Sequence, residues 1–316
     1  NINNKSLIFN LDSFPVKAPK KGVISLGCFD GIHLGHQKII SVMKAQAQEK
    51  DLKTALYVFF PHPFQVLNPD KPFKRLFSIR ELKHILESYQ LDFFGKVSFS
   101  RNFSQLSPAE FIQSFIAPQF QPKVIVVGYD FSFGRNREGR ISDLRNFGRE
   151  ENFQVVQAPV HLVGGRPVST SRIKEALSLG RMEEVHQLLR RSFFIIAPVV
   201  KGQGRGRKLG YPTANLLLPE DKLLPKKGVY SARVWMEDRK GHPAVLNIGY
   251  KPTFGGSKKM TIEVHMIKGL FDDLYNRTLR VEIHSFIREE RAFKSSIDLQ
   301  RQIRRDVKVA LNNLSG

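Results

Sequence analysis

One cysteine in 316 residues, Cys28, leaves the chain without an internal disulfide and suits a reducing, cytoplasmic compartment. There is no apolar run long enough to cross a bilayer, and the first ten residues lack a signal-peptide pattern, so no membrane association is expected. No Gly-Lys-Ser/Thr closes the glycine-rich stretch at 202–215 as a P-loop would, and no G-x-G-x-x-G follows a strand. Arrangements of the Ser-His-Asp or Cys-His kind are missing, as are internal repeats and low-complexity tracts. Acid is scarce: 29 Asp and Glu stand against 50 Lys and Arg, for a net charge of +21. Through residue 191 the balance is 27 basic to 17 acidic, and after it 23 to 12, so no tail carries the excess. Such a field attracts nucleic acid, steers polyphosphate substrates, or is simply a solvated surface. The aromatic-basic stripe of single-strand binders is absent, which argues against nucleic acid.

What is present divides into two patterns. In the first, strand signals at 23–28, 54–60, 123–128 and 153–160 alternate with helix signals. The helix at 37–50 places Ile39, Ile40, Met43 and Ala47 on one side. Ser78-Ile79-Arg80-Glu81 is a capping box opening a helix to about residue 90, and Ser107-Pro108-Ala109-Glu110 repeats the device with proline at the first helical position. Alternation of this kind predicts a doubly wound, Rossmann-like α/β domain with a largely parallel sheet, whose ligands sit outside the carboxyl ends of the strands. His33, His62 and Asp130 all follow such ends. Short helices then run from about 171 to 190. From residue 193 the signals become strands at 194–200, 228–236, 243–248, 261–267 and 279–287, with a hairpin turn at Asp238-Arg239-Lys240-Gly241 and a last helix over 296–314. That predicts a small antiparallel β-barrel with a C-terminal helix. The expected division is 1–191 and 192–316.

Within the first domain, Gly27-Cys28-Phe29-Asp30-Gly31-Ile32-His33-Leu34-Gly35-His36 joins a strand to a helix through a glycine bend. The helix N-terminus offers N–H groups and a positive dipole end to an anion, and His33 and His36 add donors. The alternative is a tight turn with two surface histidines and Cys28 as a small packing residue. Ser169-Thr170-Ser171-Arg172-Ile173-Lys174 sets hydroxyls and cations at another helix start, which suits a second phosphate site or a plain cap with a solvated face. Downstream, Gly202-Gln203-Gly204-Arg205-Gly206-Arg207-Lys208 leads into Pro212-Thr213-Ala214-Asn215. In Thr261-Ile262-Glu263-Val264-His265 the alternation puts Glu263 and His265 on the face opposite Ile262 and Val264, facing a barrel mouth or bulk water.

Taken in order, residues 27–36, Pro61-His62-Pro63, the stretch at 128–134 and Ser169 to Lys174 resemble the FMN adenylyltransferase half of bacterial bifunctional FAD synthetases, within the HIGH-type nucleotidylyltransferases. Pro212-Thr213-Ala214-Asn215, the stretch 249–254, Ile262-Glu263-Val264-His265, Asp273-Leu274-Tyr275 and 288–293 resemble the riboflavin kinase half. The resemblance implies an enzyme of flavin cofactor biosynthesis. Its C-terminal domain would phosphorylate riboflavin to FMN, releasing ADP. Its N-terminal domain would adenylylate FMN to FAD with release of pyrophosphate. ATP would be consumed in both steps with Mg²⁺ as cofactor.

By that resemblance Gly27, Cys28 and Phe29 line the adenine side, and His33 and His36 grip the ATP phosphates. Ser169, Thr170, Arg172 and Lys174 bind the departing pyrophosphate, His62 lies toward the flavin, and Asp130 lies near the flavin or the metal. In the kinase half Gly202, Arg207 and Lys208 contact ATP, Thr213 and Asn215 hold Mg²⁺, Glu263 is the base, and Arg288 lies toward the flavin. Lys174 stands where the family usually has arginine, keeping the charge but not the planar fork. The joint Leu189-Arg190-Arg191-Ser192-Phe193 also differs from the usual Leu-Gly-Arg-Pro-Tyr. Rival readings are a nucleotidylyltransferase acting on another phosphate ester and a basic nucleic-acid-binding protein.

Overall fold

Short runs of branched and aromatic residues, each ended by glycine, proline or a polar turn, favour strands over helices. In the computed structural model of the chain, which describes residues 8–9, 20–202, 206, 210–237, 240–252, 258–267 and 274–315, six of these form one sheet. They are β1 (Ile8–Phe9), β2 (Val23–Gly27), β3 (Thr54–Phe60), β4 (Phe93–Ser98), β5 (Val124–Val127) and β6 (Gln154–Gln157). The order is β1-β4-β3-β2-β5-β6 and every pairing is parallel. Successive strands step away from β2 on one side and then resume at β5 on the other. The switch point of this doubly wound sheet therefore lies between β2 and β5.

One face of that sheet buries Ile24, Leu26, Ala55, Tyr57, Phe93, Val97, Ile125 and Val127 against Phe111, Ile112, Phe115 and Phe120. Helix α1 (Leu34–Glu49) packs on β2, β3 and β5 and buries Ile39, Ile40, Met43 and Ala47, the side expected from their spacing. Both capping boxes form: Ser107 Oγ accepts from Glu110 N at 3.2 Å while Glu110 Oε2 accepts from Ser107 N at 2.7 Å. The helix this box opens passes into a π-helical stretch, Phe111–Ile116. Helices α2 (Pro63–Leu67), α3 (Ile79–Glu87) and α4 (Ile141–Glu150) also lie in this half of the chain, and β7 (Leu162–Val163) and β8 (Arg166–Pro167) form a hairpin. Helix α3 stops short of residue 90, and β6 is half the length its hydrophobic run suggests.

The described residues fall into two units, within Asn1–Phe73 and Leu82–Val168, and within Lys74–Glu81 and Ser169–Gly316. The second holds α5 (Thr170–Ser178), α6 (Met182–Leu189) and a closed barrel in the order β10-β13-β12-β11-β14-β9. Its strands are β9 (Phe193–Val200), β10 (Ala214–Leu216), β11 (Gly228–Trp235), β12 (Gly241–Pro252), β13 (Lys258–Met266) and β14 (Thr278–Arg288), all paired antiparallel. Helix α7 (Ser296–Leu314) has Ser295 as its N-cap and packs on Val229 and Val245 through Ala310 and Val307. The turn at 238–239 lies outside the described residues, but β11 and β12 pair from Trp235–Gly241 onward, as a hairpin requires.

Candidate functional site

At the carboxyl end of β2 the backbone is forced into unusual shapes. Phe29 and Ile32 take φ values of 44° and 41° around Gly31 at 100°. A β-branched residue in that region is costly, on the order of 1–3 kcal/mol, and persists only where packing over-determines it. Packing does so here: Ile32 is wholly buried and Phe29 almost so. Gln37 Nε2 also donates to Ile32 O at 3.0 Å. The turn delivers His33 to the N-cap of α1, whose first turn carries no acidic residue and whose N-terminus has no side-chain cap.

The rings of His33 and His36 stack with centroids 3.7 Å apart, and Phe29 lies 5.0 Å from His36. Gly35 makes this stacking possible. A Cβ there would come within 3.1 Å of His33 Cε1, so the glycine leaves the space that the folded-back ring occupies. The two imidazoles and the N-terminus of a 16-residue helix thus converge at one strand end, an arrangement that fits phosphate oxygens.

Two neighbouring strand ends contribute to the same edge. After β3, His62 Nδ1 accepts from Phe64 N at 3.1 Å and caps α2, while its ring stacks on Phe73 at 4.5 Å. After β5, Asp130 is exposed, and its Oδ1 lies 3.4 Å from where a Cβ on Gly128 would be. Burial and then the Asp130 charge push the Tyr129 hydroxyl upward from its ordinary pKa. Gly27 and Cys28 are half-buried at the end of β2.

Residues 169–174 belong to the second unit. Ser169 caps α5 by accepting from Arg172 N at 3.3 Å. Arg172 Nε donates to Glu184 at 3.1 Å, and Lys174 Nζ donates to Lys74 O at 2.6 Å. Thr170 is half-buried in the first turn. The cap role of this segment is therefore present, and both of its cations are engaged by groups of the same unit.

On the barrel, β13 alternates as its sequence demands: Ile262, Val264 and Met266 are buried, and Glu263 and His265 face the other way. Register then sets the neighbours. Asn215 on β10 and Asn247 on β12 both lie opposite Glu263, so the three side chains share one face of three adjacent strands. Thr213 Oγ1 is 3.4 Å from Glu263 Oε2. Gly202 has its backbone against the Asn215 amide, since a Cβ there would fall 2.1 Å from Asn215 Nδ2. Hydroxyl, amide and carboxylate oxygens gathered on so small a patch are the hard donors Mg²⁺ takes, alongside the phosphates of a nucleotide. Among the described residues no group of three His, Cys, Asp or Glu forms a metal cage by itself.

Arg207 and Lys208 lie outside the described residues, as do residues 253–254 and Asp273. Arg288 is bound to Asp306 on α7 by hydrogen bonds of 2.7, 3.0 and 3.1 Å and donates to Glu289 O at 2.9 Å. It thereby fixes the segment that follows β14. Sequence reasoning missed Asn247, and it placed Glu290 only within the matching stretch at 288–293, with no role of its own. Asn247 Nδ2 donates to Glu290 Oε1 at 3.1 Å, and the Glu290 carboxylate lies against Gly249, where a Cβ would be 2.1 Å away. Strand register sets Asn247 opposite Glu263, and the contact with Asn247 brings in Glu290; no local signal carries either.

A model of the FAD synthetase family matches residues 16–172, and one of the riboflavin kinase family matches residues 189–314. The bifunctional riboflavin kinase/FMN adenylyltransferase of Buchnera aphidicola subsp. Schizaphis graminum is 34% identical over 295 residues, covering 93% of this chain and 94% of its own. Its namesake in Escherichia coli (strain K12) is 33% identical, covering 92% of each chain. The one in Bacillus subtilis (strain 168) is 34% identical, covering 93% of each. A crystal structure described as a macrolide-efflux protein from Streptococcus pneumoniae aligns with a TM-score of 0.87 at 30% identity, over 97% of this chain and 99% of that one. Efflux is said of that protein; among the described residues here, no helix is long and apolar enough to cross a membrane.

Proposed function

This chain belongs to the bifunctional riboflavin kinase/FMN adenylyltransferase family, and from that premise we propose which of its residues carry each of the two reactions. It phosphorylates riboflavin to FMN and adenylylates FMN to FAD, with the adenylyltransferase N-terminal and the kinase C-terminal. We assign adenylylation to residues 1–191 and phosphorylation to 192–316.

In the kinase reaction Glu263 takes the proton from the riboflavin 5′-hydroxyl. The freed oxygen bonds to the γ-phosphorus of ATP as the bond from that phosphorus to ADP breaks. An alcohol gains from a base in this step, and the Glu263 carboxylate supplies it. Thr213 and Asn215 would hold Mg²⁺, which when bound would neutralise charge on the transferring group. Gly202, Arg207 and Lys208 contact the same nucleotide. Arg288, held by Asp306, shapes the wall beside the flavin. The observation that carries this reading is the pairing of Asn215 directly across from Glu263, with the Thr213 hydroxyl 3.4 Å from its carboxylate.

Adenylylation needs no base, because the FMN phosphate is already a nucleophile. Its oxygen bonds to the α-phosphorus of ATP and pyrophosphate leaves. Alignment and charge neutralisation are then the whole of catalysis. His33 and His36 hold the phosphates, and Gly27, Cys28 and Phe29 hold the adenine side. Ser169, Thr170, Arg172 and Lys174 take the pyrophosphate, and His62 and Asp130 face the flavin. The charge of +21 serves to draw in these anionic substrates rather than nucleic acid. Product chromatography, starting separately from riboflavin and from FMN with ATP and with or without Mg²⁺, tests the assignment. FMN followed by FAD is expected from riboflavin, FAD alone from FMN, and neither without the metal. Tight, salt-sensitive binding of RNA or DNA at physiological salt would count against the role given to the charge.

A further inference from the structure

The Pro212-Thr213 peptide is held by a side chain that the reaction itself does not use. His265 follows Glu263 by two residues on β13 and projects from the same face. Its Nδ1 lies 2.9 Å from Pro212 O. A carbonyl oxygen only accepts, so Nδ1 carries the proton in this contact. Tyr211 closes on the imidazole edge-on, with centroids 5.3 Å apart and planes at 75°. The Tyr211 hydroxyl in turn accepts from Arg304 Nε on α7 at 3.2 Å. A chain of contacts thus runs from α7 through Tyr211 and His265 to the turn before β10.

What this contact fixes follows from backbone geometry. The pyrrolidine ring already locks φ of Pro212, and the peptide to Thr213 is planar. The remaining freedom is ψ of Pro212, whose rotation swings the Pro212 carbonyl and the Thr213 nitrogen together. A hydrogen bond to that carbonyl removes this freedom. Thr213 is β-branched and stiff at χ1, so holding the peptide that leads into it narrows the directions open to Oγ1.

We propose that His265 is a positioning residue for riboflavin phosphorylation, aiming the Thr213 hydroxyl at Glu263 and the metal by holding the Pro212 carbonyl. The proposal rests on the assignment of Thr213 and Asn215 as metal ligands. It predicts a role for the donor at Nδ1 rather than for the bulk of the ring.

The full-length enzyme tests this with His265→Phe, which keeps the ring and its contact with Tyr211 but lacks the donor. His265→Asn restores a donor near Nδ1. The first should raise the Mg²⁺ concentration for half-maximal FMN formation by about tenfold, the scale of a lost outer-shell partner. It should leave the riboflavin KM and the adenylylation of supplied FMN unchanged. It should also speed amide hydrogen exchange in the peptide spanning 210–217, read by mass spectrometry without substrate. His265→Asn should recover most of both, and Thr213→Ala combined with His265→Phe should need no more Mg²⁺ than Thr213→Ala alone. Wild-type Mg²⁺ dependence and exchange in His265→Phe, or an equal defect in His265→Asn, would overturn the proposal while leaving the ligand assignment intact. An unchanged Mg²⁺ requirement in Thr213→Ala would instead remove the ligand assignment, and the proposal with it.

Discussion

Lys222 Nζ sits 2.8 Å from Glu81 Oε2 with side chains only 1% and 2% exposed, joining residues 141 apart in sequence. The ammonium also donates to Leu76 O at 2.6 Å and lies over the rings of Phe77 and Phe193 at 4.7 and 4.6 Å. Glu81 in turn accepts from Ser78 N at 2.6 Å and from Ile196 N of β9 at 2.8 Å. Arg75 pairs with Asp221 beside it. A segment from the first half of the chain is thereby a structural part of the second unit, and a capping-box glutamate doubles as the counter-charge of a buried lysine.

Breaking such a pair on one side leaves a buried charge alone. Glu81→Ala should cost about 3–5 kcal/mol of stability in urea unfolding, whereas Glu81→Gln together with Lys222→Met, which removes both charges and keeps an acceptor for the backbone N–H groups, should cost less. Equal losses in the single and double variants would show that the pair is not the source of the cost.

Gly35→Ala tests the space left for His33. A methyl group there would lie 3.1 Å from His33 Cε1, so the His33 ring must shift against His36 to admit it. FAD formation from supplied FMN should fall by up to about 100-fold, the scale of a misplaced catalytic group, with FMN formation from riboflavin unaffected. An undisturbed rate in a folded variant would detach the histidine stack from adenylylation.

Burial holds His284 on β14 below its ordinary pKa; Arg233 and His186 act in the same direction and Glu282 opposes them. The folded state therefore keeps this imidazole neutral where the unfolded chain, at about 6.5, already binds a proton. The resulting stability is complete above that value and is lost as pH falls from it toward the folded pKa. Thermal unfolding should thus shift down between pH 7.5 and 5.5, and His284→Phe should flatten that dependence. An identical slope in the variant would assign it to other groups.

Much of this architecture was legible because its signals are local. The run at 54–60 forms a strand with those bounds, the last helix spans 296–314 as expected, and both capping boxes close. The signal failed where structure depends on distant partners. β4 was missed because Gly95 interrupts its apolar run, and β10 because three residues carry too little pattern. The π-helical stretch at 111–116 buries Phe111, Ile112, Phe115 and Ile116, a spacing that an α-helix also satisfies. Membership of residues 74–81 in the second unit rests on Asp221, Lys222 and Ile196, none of which is near them in sequence. At the site, the alternation around Glu263 could be read directly, but Asn247, Glu290 and the Arg288–Asp306 pair emerge only from register and from the docking of α7.

The central claim, one chemistry per set of residues, is tested most directly by a crossed assay of two variants. Glu263→Gln should lower FMN formation from riboflavin by about 10²–10⁴-fold, as loss of a general base does, and leave FAD formation from supplied FMN near wild type. His36→Ala should do the reverse. If either change in a folded protein disabled both reactions alike, the two sets of residues would not be serving separate chemistries.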